Sequence, residues 1–250
     1  MTLCITWTVA TDDAGYRMFA VSDRRGNCGD TIDFVPKIFS FIRQNCLFCW
    51  EGAHDVAFPM LENIRLLLDG DRMLSSEQLG AQIFLDRILF RMNYLWQEWD
   101  FSDPSDRRKS DICSFILGAY DYDNERVFVS HIHNVDGSWE STVLHTKEGT
   151  LLNLKAIGSK AALSHFDRHT KGQVLTPSGV MNCLVAAIED LGINDVGGIP
   201  QIVTLDRRGI ESFGTIADDD FYIDGFKVDQ NKISKRIRFI KHGEVAPARR

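Results

Sequence analysis

The sequence lacks the long apolar runs and the basic excess that mark two large classes of protein. No apolar run approaches the roughly 20 residues of a membrane span, and no basic segment precedes an apolar one at the N-terminus, so we expect no secretory signal. Lys and Arg number 28 against 35 Asp and Glu, a formal net charge of -7. This balance argues against nucleic acid or anionic lipid as the main partner. Together these absences favour a cytoplasmic protein.

A second cysteine pair, which a four-cysteine zinc site would need, is also lacking. Cys46 and Cys49 form a single C-x-x-C inside an apolar, strand-like run, and no second pair accompanies it. We expect buried thiols there, with a redox or metal role as the alternative. His131 and His133 would share one face of a strand and could hold a metal, but no third ligand is evident nearby. The sequence indicates no cofactor.

The residues that are present have the composition of an ordinary globular protein. Hydrophobic residues make up 44% of the 250 positions and charged residues 25%, enough to bury a full core. No linker is long enough to divide the chain, so we expect one domain over residues 1–250, with residues 236–250 as a flexible C-terminal tail.

Hydrophobic patterning predicts strands and helices in blocks. The predicted strands are residues 3–10, 17–22, 37–43, 46–50, 113–120, 126–133, 142–145, 199–205 and 209–213. The predicted helices are residues 55–69, 75–96, 157–168 and 178–191, the second opened by a capping box of Ser75 and Gln78. The natural solution for this order is an α+β fold, a four-layer αββα sandwich of two antiparallel sheets between helix layers.

Several short motifs follow one another in a recognisable order. They are Thr2 on the first strand, Asp23 and Arg25 in "SDRRG", Lys37 in "DFVPKIF", Gly52 and Asp55 in "EGAHD", Ser159 in "AIGSKAA", and the glycine pair of "VGGIPQIVTLDRRG". In this order and near these spacings the chain resembles the proteasome beta-subunit family, including its bacterial relatives of the HslV and Anbu types. The likeness runs over most of the chain and implies an N-terminal nucleophile hydrolase.

The resemblance gives Thr2 the role of nucleophile. A threonine hydroxyl is weak until a base takes its proton. The α-amine of the same residue, with an ordinary pKa of about 7.7–8.0, is suited to that task. Because the amine must be free, we expect Met1 to be removed.

The resemblance also assigns the surrounding roles. Lys37 would favour the deprotonated states of the Thr2 amine and hydroxyl by its positive potential. Asp23 would hold Lys37 charged, and the Gly52 amide would stabilise the oxyanion. The alternatives are that Asp23 is a turn-capping carboxylate, Lys37 a solvated strand-edge lysine and Gly52 a plain loop glycine before a helix.

One part of the family pattern is altered. Ser159 matches the serine that orients the terminal amine, although a helix N-cap explains it equally well. Before the glycine pair the family has Asp-x-x-Ser, whereas "INDVGG" places Ile193 and Val196 there. Asp195, or as a second choice Asp190, would have to substitute.

The substrate pocket carried over by position consists of Val35, Trp50, His54 and Phe58. Trp50 and His54 are bulky where many members of the family have small residues, which implies a shallow or blocked pocket that accepts at most small side chains. The alternative is that the aromatic rings belong to the core.

The sequence therefore favours a threonine-type endopeptidase that assembles into a homo-oligomeric ring. Its substrates would be peptides or unfolded proteins, and an ATP-dependent unfoldase is a candidate partner. Two alternatives stay open: a proteasome-like ring with little or no activity and a structural or binding role, and an amidase that acts on a small molecule through the same threonine.

Overall fold

The computed structural model describes residues 2–11, 15–28, 30–41, 45–71, 73–74, 79–100, 112–145, 151–190, 192–229, 232 and 237–241. Within these ranges the chain is mixed α and β, with four helices and two main sheets. The helices are α1 His54–Gly70, α2 Ala81–Gln97, α3 Lys160–Thr170 and α4 Pro177–Glu189. No helix among these residues is long and apolar enough to cross a membrane.

The strands are assigned in chain order. They are β1 Leu3–Ala10, β2 Tyr16–Ser22, β3 Gly26–Cys28, β4 Asp30–Ile32, β5 Ile38–Phe41, β6 Cys46–Gly52, β7 Cys113–Asp121, β8 Arg126–Val135, β9 Ser138–Val143, β10 Leu152–Gly158, β11 Gln201–Asp206, β12 Gly209–Ala217, β13 Asp220–Ile223, β14 Phe226–Val228 and β15 Phe239–Lys241. The first sheet has the order β10-β1-β2-β11-β12-β13-β14, and β15 pairs with β12. The second has the order β5-β6-β7-β8-β9, and β3 pairs with β4 separately. All these pairings are antiparallel except that of β15 with β12.

Three apolar cores separate these layers. The first helix core packs α1 and α2 on the second sheet and includes Trp50, Met60, Ile88, Phe115 and Ile132. The second helix core packs α3 and α4 on the first sheet and includes Leu3, Trp7, Ala162, Leu184 and Ile202. The intersheet core includes Cys4, Ile38, Leu47, Ile116, Val129 and Val203. This arrangement is compatible with the predicted sandwich.

Because successive side chains of a strand point to opposite faces of the sheet, one strand can contribute to two cores. Along β6, Cys46 packs into the first helix core and Cys49 into the intersheet core. Both thiols are free and fully buried, as expected, and burial raises their pKa. Since the two side chains lie on opposite faces of the strand, the C-x-x-C cannot close on a single metal ion.

The paired histidines of β8 do share a face, as predicted. The rings of His131 and His133 stack with centroids 4.9 Å apart. Burial, together with the charge of Lys155, lowers the pKa of His131 to about 3. Among the described residues, no third ligand completes a metal site with this pair.

Several element boundaries differ from the predicted ones. Helix α2 begins at Ala81 instead of at position 75, and Ser75 and Gln78 lie outside the described residues. Residues 152–158 form β10, a strand that the sequence pattern did not indicate and that includes the first two residues of the helix predicted at 157–168. Strand β9 begins four residues before the strand predicted at 142–145 and overlaps it. Within the expected C-terminal tail, Phe239–Lys241 form β15, and residues 242–250 are outside the described part of the chain.

Candidate active site

Thr2 stands at the entry to β1 and is fully buried. Its carbonyl oxygen accepts a hydrogen bond of 3.0 Å from the amide of Ser159. The next residue, Leu3, pairs with Gly158 of β10, where a Cβ atom would overlap the carbonyl oxygen of Thr2. Glycine at 158 therefore permits this close approach. The Thr2 hydroxyl has no hydrogen-bond partner among the described residues.

Asp23 follows β2 directly and joins three segments. Its carboxylate accepts backbone hydrogen bonds from Leu3 at 2.9 Å, Arg25 at 3.0 Å and Gly197 at 3.2 Å. Burial raises the pKa of this carboxyl to about 6, and the bond from Leu3 and the charge of Lys37 oppose that rise. Asp23 thus fixes the start of β1 against the segment that carries the glycine pair.

Lys37 lies immediately before β5 and is only 1% exposed. Its ammonium sits 4.3 Å from the centroid of the Trp50 ring, a cation–π contact. Its positive charge opposes the rise in the pKa of Asp23. Burial lowers the pKa of His54, and the charge of Lys37 lowers it further. Lys37 is therefore a buried cation, not a solvated strand-edge lysine.

Sequence reasoning missed the side chain that holds this lysine. The Oε1 atom of Gln201 accepts hydrogen bonds from the amides of Lys37 and Ile38, each 3.0 Å long, and its Nε2 donates to the Ile38 carbonyl at 2.9 Å. A single glutamine opening the apolar run "QIVTLD" was the only available signal.

The predicted pocket residues form an aromatic group beside Lys37. Trp50 is buried and donates its Nε1–H to the Pro36 carbonyl at 3.1 Å. Phe58 meets Trp50 edge to face at 5.3 Å and stacks on the exposed His54 at 4.1 Å. Val35 is half-buried against the first helix core. Trp50 is thus a core residue, and His54 gives the group an exposed edge.

Gly52 ends β6 just before α1. Its φ of 101° lies in the left-handed region, and a Cβ here would overlap the Ile112 carbonyl oxygen. That oxygen accepts a 2.7 Å hydrogen bond from Ala53 and so cannot move freely. Glycine is required at this turn by both conformation and space.

Ser159 is the N-cap of α3, which was the alternative to a role in orienting the terminal amine. Its hydroxyl accepts a 3.2 Å hydrogen bond from the Ala162 amide at the start of α3. The residue lies next to Thr2 through its backbone, while its side chain is engaged by the helix.

The two aspartates that could replace the missing acid occupy different surroundings. Asp195 is buried, and its Oδ1 has no hydrogen-bond partner in the described part of the chain. Asp190 accepts a 2.8 Å bond from Gly192 and lies 3.5 Å from the ring of His165. Ile193 and Val196 are buried in the second helix core. Asp195 is therefore the better candidate, and it lies two residues before Gly197, which binds Asp23.

The contacts thus bring most of the predicted catalytic residues to one place. Asp23 connects the Thr2–Leu3 segment, the charge of Lys37 and the Gly197 segment. No protein-family model matches the chain, and no curated protein is significantly similar to it in sequence.

Proposed function

We propose that the chain is a threonine-type endopeptidase of the proteasome beta-subunit kind, an N-terminal nucleophile hydrolase of the αββα fold. The observation that carries this proposal is the buried hydroxyl of Thr2, which is unpartnered among the described residues. Thr2 directly precedes Leu3, whose amide binds the Asp23 carboxylate, and the charge of Lys37 acts on that carboxylate. Buried polar atoms are nearly always hydrogen-bonded, so an exception calls for an explanation, and a catalytic role is one.

Processing is the first step of the proposed mechanism. Because Thr2 is fully buried in the unprocessed chain, removal of Met1 would serve two purposes. It frees the α-amine that acts as the general base, and it opens the hydroxyl to substrate. The amine has an ordinary pKa of about 7.7–8.0, so a useful fraction is neutral near pH 7.

Acyl transfer follows. The amine takes the hydroxyl proton as Oγ1 of Thr2 attacks the scissile carbonyl carbon, and the Gly52 amide stabilises the oxyanion. The C–N bond then breaks, the proton passes to the leaving amine, and an ester on Thr2 forms. Water, deprotonated by the same amine, hydrolyses the ester and restores the free hydroxyl.

Lys37 and Asp23 set the electrostatics of both steps. In this proposal the buried ammonium of Lys37 favours the neutral amine of Thr2 over its protonated form, because like charges repel. Asp23 balances that buried charge, which would otherwise be costly. The aromatic group of Trp50, His54 and Phe58 narrows the specificity pocket, so we infer a preference for small side chains.

The assembly is part of the proposal. We infer a homo-oligomeric ring with its sites facing an inner chamber in the cytoplasm, supplied with unfolded chains by an ATP-dependent unfoldase. One observation favours a second candidate, a ring with little activity. The Ser159 hydroxyl is occupied by the α3 N-cap, and two core side chains, Ile193 and Val196, replace the family's Asp and Ser.

A single set of measurements tests the proposal. Intact-mass analysis of the cell-made protein should show Thr2 as the first residue, and a threonine-directed epoxyketone should add once, at Thr2. Fluorogenic peptides should be cleaved by the wild type and not by Thr2→Ala, while Thr2→Ser retains part of the activity. Retention of Met1, or cleavage that survives Thr2→Ala, would overturn the mechanism. A processed ring that neither cleaves peptides nor forms the adduct would support the second candidate.

A further inference from the structure

Helices α3 and α4 bring three metal-ligating side chains together, away from the candidate active site. His165 and His169 lie one turn apart on α3, and their rings stack with centroids 4.0 Å apart. Cys183 faces them from α4. One ligand atom from each of the three residues lies within 4.8 Å of the other two.

Each histidine has a polar neighbour beside one ring nitrogen, which leaves the other nitrogen for a metal. Nδ1 of His169 lies 2.9 Å from the carbonyl oxygen of His165. A carbonyl only accepts, so Nδ1 carries the proton and Nε2 keeps its lone pair. Nδ1 of His165 lies 3.5 Å from the Asp190 carboxylate. A metal-binding histidine typically has such an outer partner, either a backbone carbonyl or a carboxylate.

The burial of His165 is a second, independent observation. Its side chain is only 3% exposed, yet Nε2 has no hydrogen-bond partner among the described residues, and Nδ1 has only the Asp190 carboxylate at 3.5 Å. An unsatisfied buried polar group is costly. A bound metal would satisfy Nε2 and draw Nδ1 toward Asp190.

We propose that His165, His169 and Cys183 bind one zinc ion between α3 and α4, with Asp190 orienting His165. Imidazole nitrogen and thiolate sulfur are the donors that zinc prefers. Tetrahedral zinc with these ligands places the donor atoms about 3.5 Å apart, so small side-chain rotations are enough to close the site. The Cys183 thiol releases its proton to solvent as the Zn–S bond forms. The fourth position is left for water, beside the exposed His169.

The proposed ion would cross-link the two helices of one layer. Ser159 caps the N-terminus of α3, and its amide binds the Thr2 carbonyl. Helix α4 precedes the segment of Asp195 and Gly197, and the Gly197 amide binds Asp23. The site does not depend on the proposed peptidase activity, and its test uses no activity assay.

The experiment is metal binding by the full chain after chelator treatment. Zn²⁺ is titrated in competition with a chromophoric chelator, and Co²⁺ serves as a spectroscopic substitute. We expect one saturable site and a thiolate-to-cobalt charge-transfer band. Cys183→Ser should abolish the band, and Asp190→Asn should weaken zinc binding about 10- to 100-fold. His169→Ala, a change at an exposed side chain, should weaken it at least as much as Asp190→Asn.

Two matched variants serve as controls. His145→Ala removes an exposed histidine outside the cluster, and Glu189→Gln neutralises the carboxylate next to Asp190 in sequence. Both should bind zinc as the wild type does, and circular dichroism confirms that every variant is folded. The proposal is overturned if the wild type shows no saturable binding. It is also overturned if Cys183→Ser and His169→Ala bind as the wild type does, because the metal then occupies other thiols.

Discussion

The side chain of Gln201 bridges the two sheets at Lys37. Gln201 is the first residue of β11 in the first sheet. Its Oε1 accepts hydrogen bonds from the amides of Lys37 and Ile38, at the start of β5 in the second sheet. The position of the buried lysine is therefore set by the opposite sheet as well as by its own strand.

Replacing this glutamine by an apolar residue should destabilise the protein. Gln201→Leu leaves two buried amides without acceptors, at about 1–3 kcal/mol each, so we expect a loss of a few kcal/mol in the free energy of unfolding. Denaturant unfolding monitors the change. Gln173→Leu, at an exposed position, should stay within about 0.5 kcal/mol of the wild type. Equal effects of the two variants would contradict the bridging role.

The buried Thr2 hydroxyl, the proposed nucleophile, should reduce the stability of the chain. In the chain that retains Met1, Thr2→Val replaces a buried hydroxyl, unpartnered among the described residues, with a methyl group of similar size, so the unfolding free energy should rise by about 1 kcal/mol. In the processed chain the same change should abolish peptidase activity. The matched variant is Thr215→Val, because the Thr215 hydroxyl donates to the Pro200 carbonyl at 3.1 Å. That variant should lose stability. If both variants shift in the same direction, the Thr2 hydroxyl is satisfied in solution.

Asp23 should make stability depend on pH. Burial raises its pKa to about 6 in the folded state, above the ordinary value of 3.8, so the folded protein binds the proton more tightly than the unfolded chain. The favourable contribution of Asp23 to the free energy of unfolding is fully present below about pH 4 and is lost as the pH rises through 6. Relative to Asp23→Asn, the wild type should therefore lose unfolding free energy as the pH rises from about 4 to about 7.5.

Asp33 provides a control of opposite sign. The hydrogen bonds from Arg25 lower the pKa of Asp33. Its contribution is present above the ordinary pKa and is lost as the pH falls, so Asp33→Asn should differ from the wild type at neutral pH and converge with it in acid. A profile for Asp23→Asn that has this second form would contradict the assigned direction.

The charge of Lys37 should be visible without an activity assay. Lys37→Met keeps the chain length but removes the cation, so the pKa of His54 should rise. The control is Lys155→Met, which should raise the pKa of His131 and leave that of His54 unchanged. NMR titration of the imidazole protons measures both. In the same Lys37 variant, we expect peptide cleavage to fall about 100-fold or more. An unchanged His54 titration would place the ammonium elsewhere.

Gly52 should tolerate no side chain. Gly52→Ala combines a left-handed φ with an overlap on the Ile112 carbonyl, so we expect several kcal/mol of destabilisation or failure to fold. At Gly172, φ is also positive, at 73°, but no atom lies within 4 Å of the position that an alanine methyl group would take, so Gly172→Ala should cost about 1 kcal/mol. Thermal unfolding of the two variants separates the effect of steric overlap, present only at Gly52, from that of the left-handed backbone conformation, present at both positions.

Local patterns predicted the hairpins well because their strands are neighbours in sequence. The strand at 3–10 and the pairs β7–β8 and β11–β12 lie where alternation and turn residues indicated. Strand β10 was missed because it pairs with β1 from about 150 residues away and is half-buried at most positions, so its sequence carries no clear alternation. The hairpin of β13 and β14 had a readable signal in the Asp-Gly turn at 224–225.

The site was predictable in its residues more than in its contacts. The motif order singled out Thr2, Asp23 and Lys37, which lie directly at the ends of β1, β2 and β5, and the N-cap alternative for Ser159 is what the structure contains. The convergence of three backbone amides on Asp23 depends on segments about 20 and 170 residues apart, which no local pattern encodes. The same is true of Gln201, whose partners lie in the other sheet.

The distribution of cysteines along the layers has a practical use. Cys46 and Cys113 lie in the first helix core, Cys4 and Cys49 in the intersheet core, and Cys183 in the second helix core. Each thiol can be alkylated only when its own layer opens, and layers of a domain open with different free energies. Pulsed alkylation followed by peptide mapping would therefore report which layer separates first, with native side chains as the reporters and no label introduced.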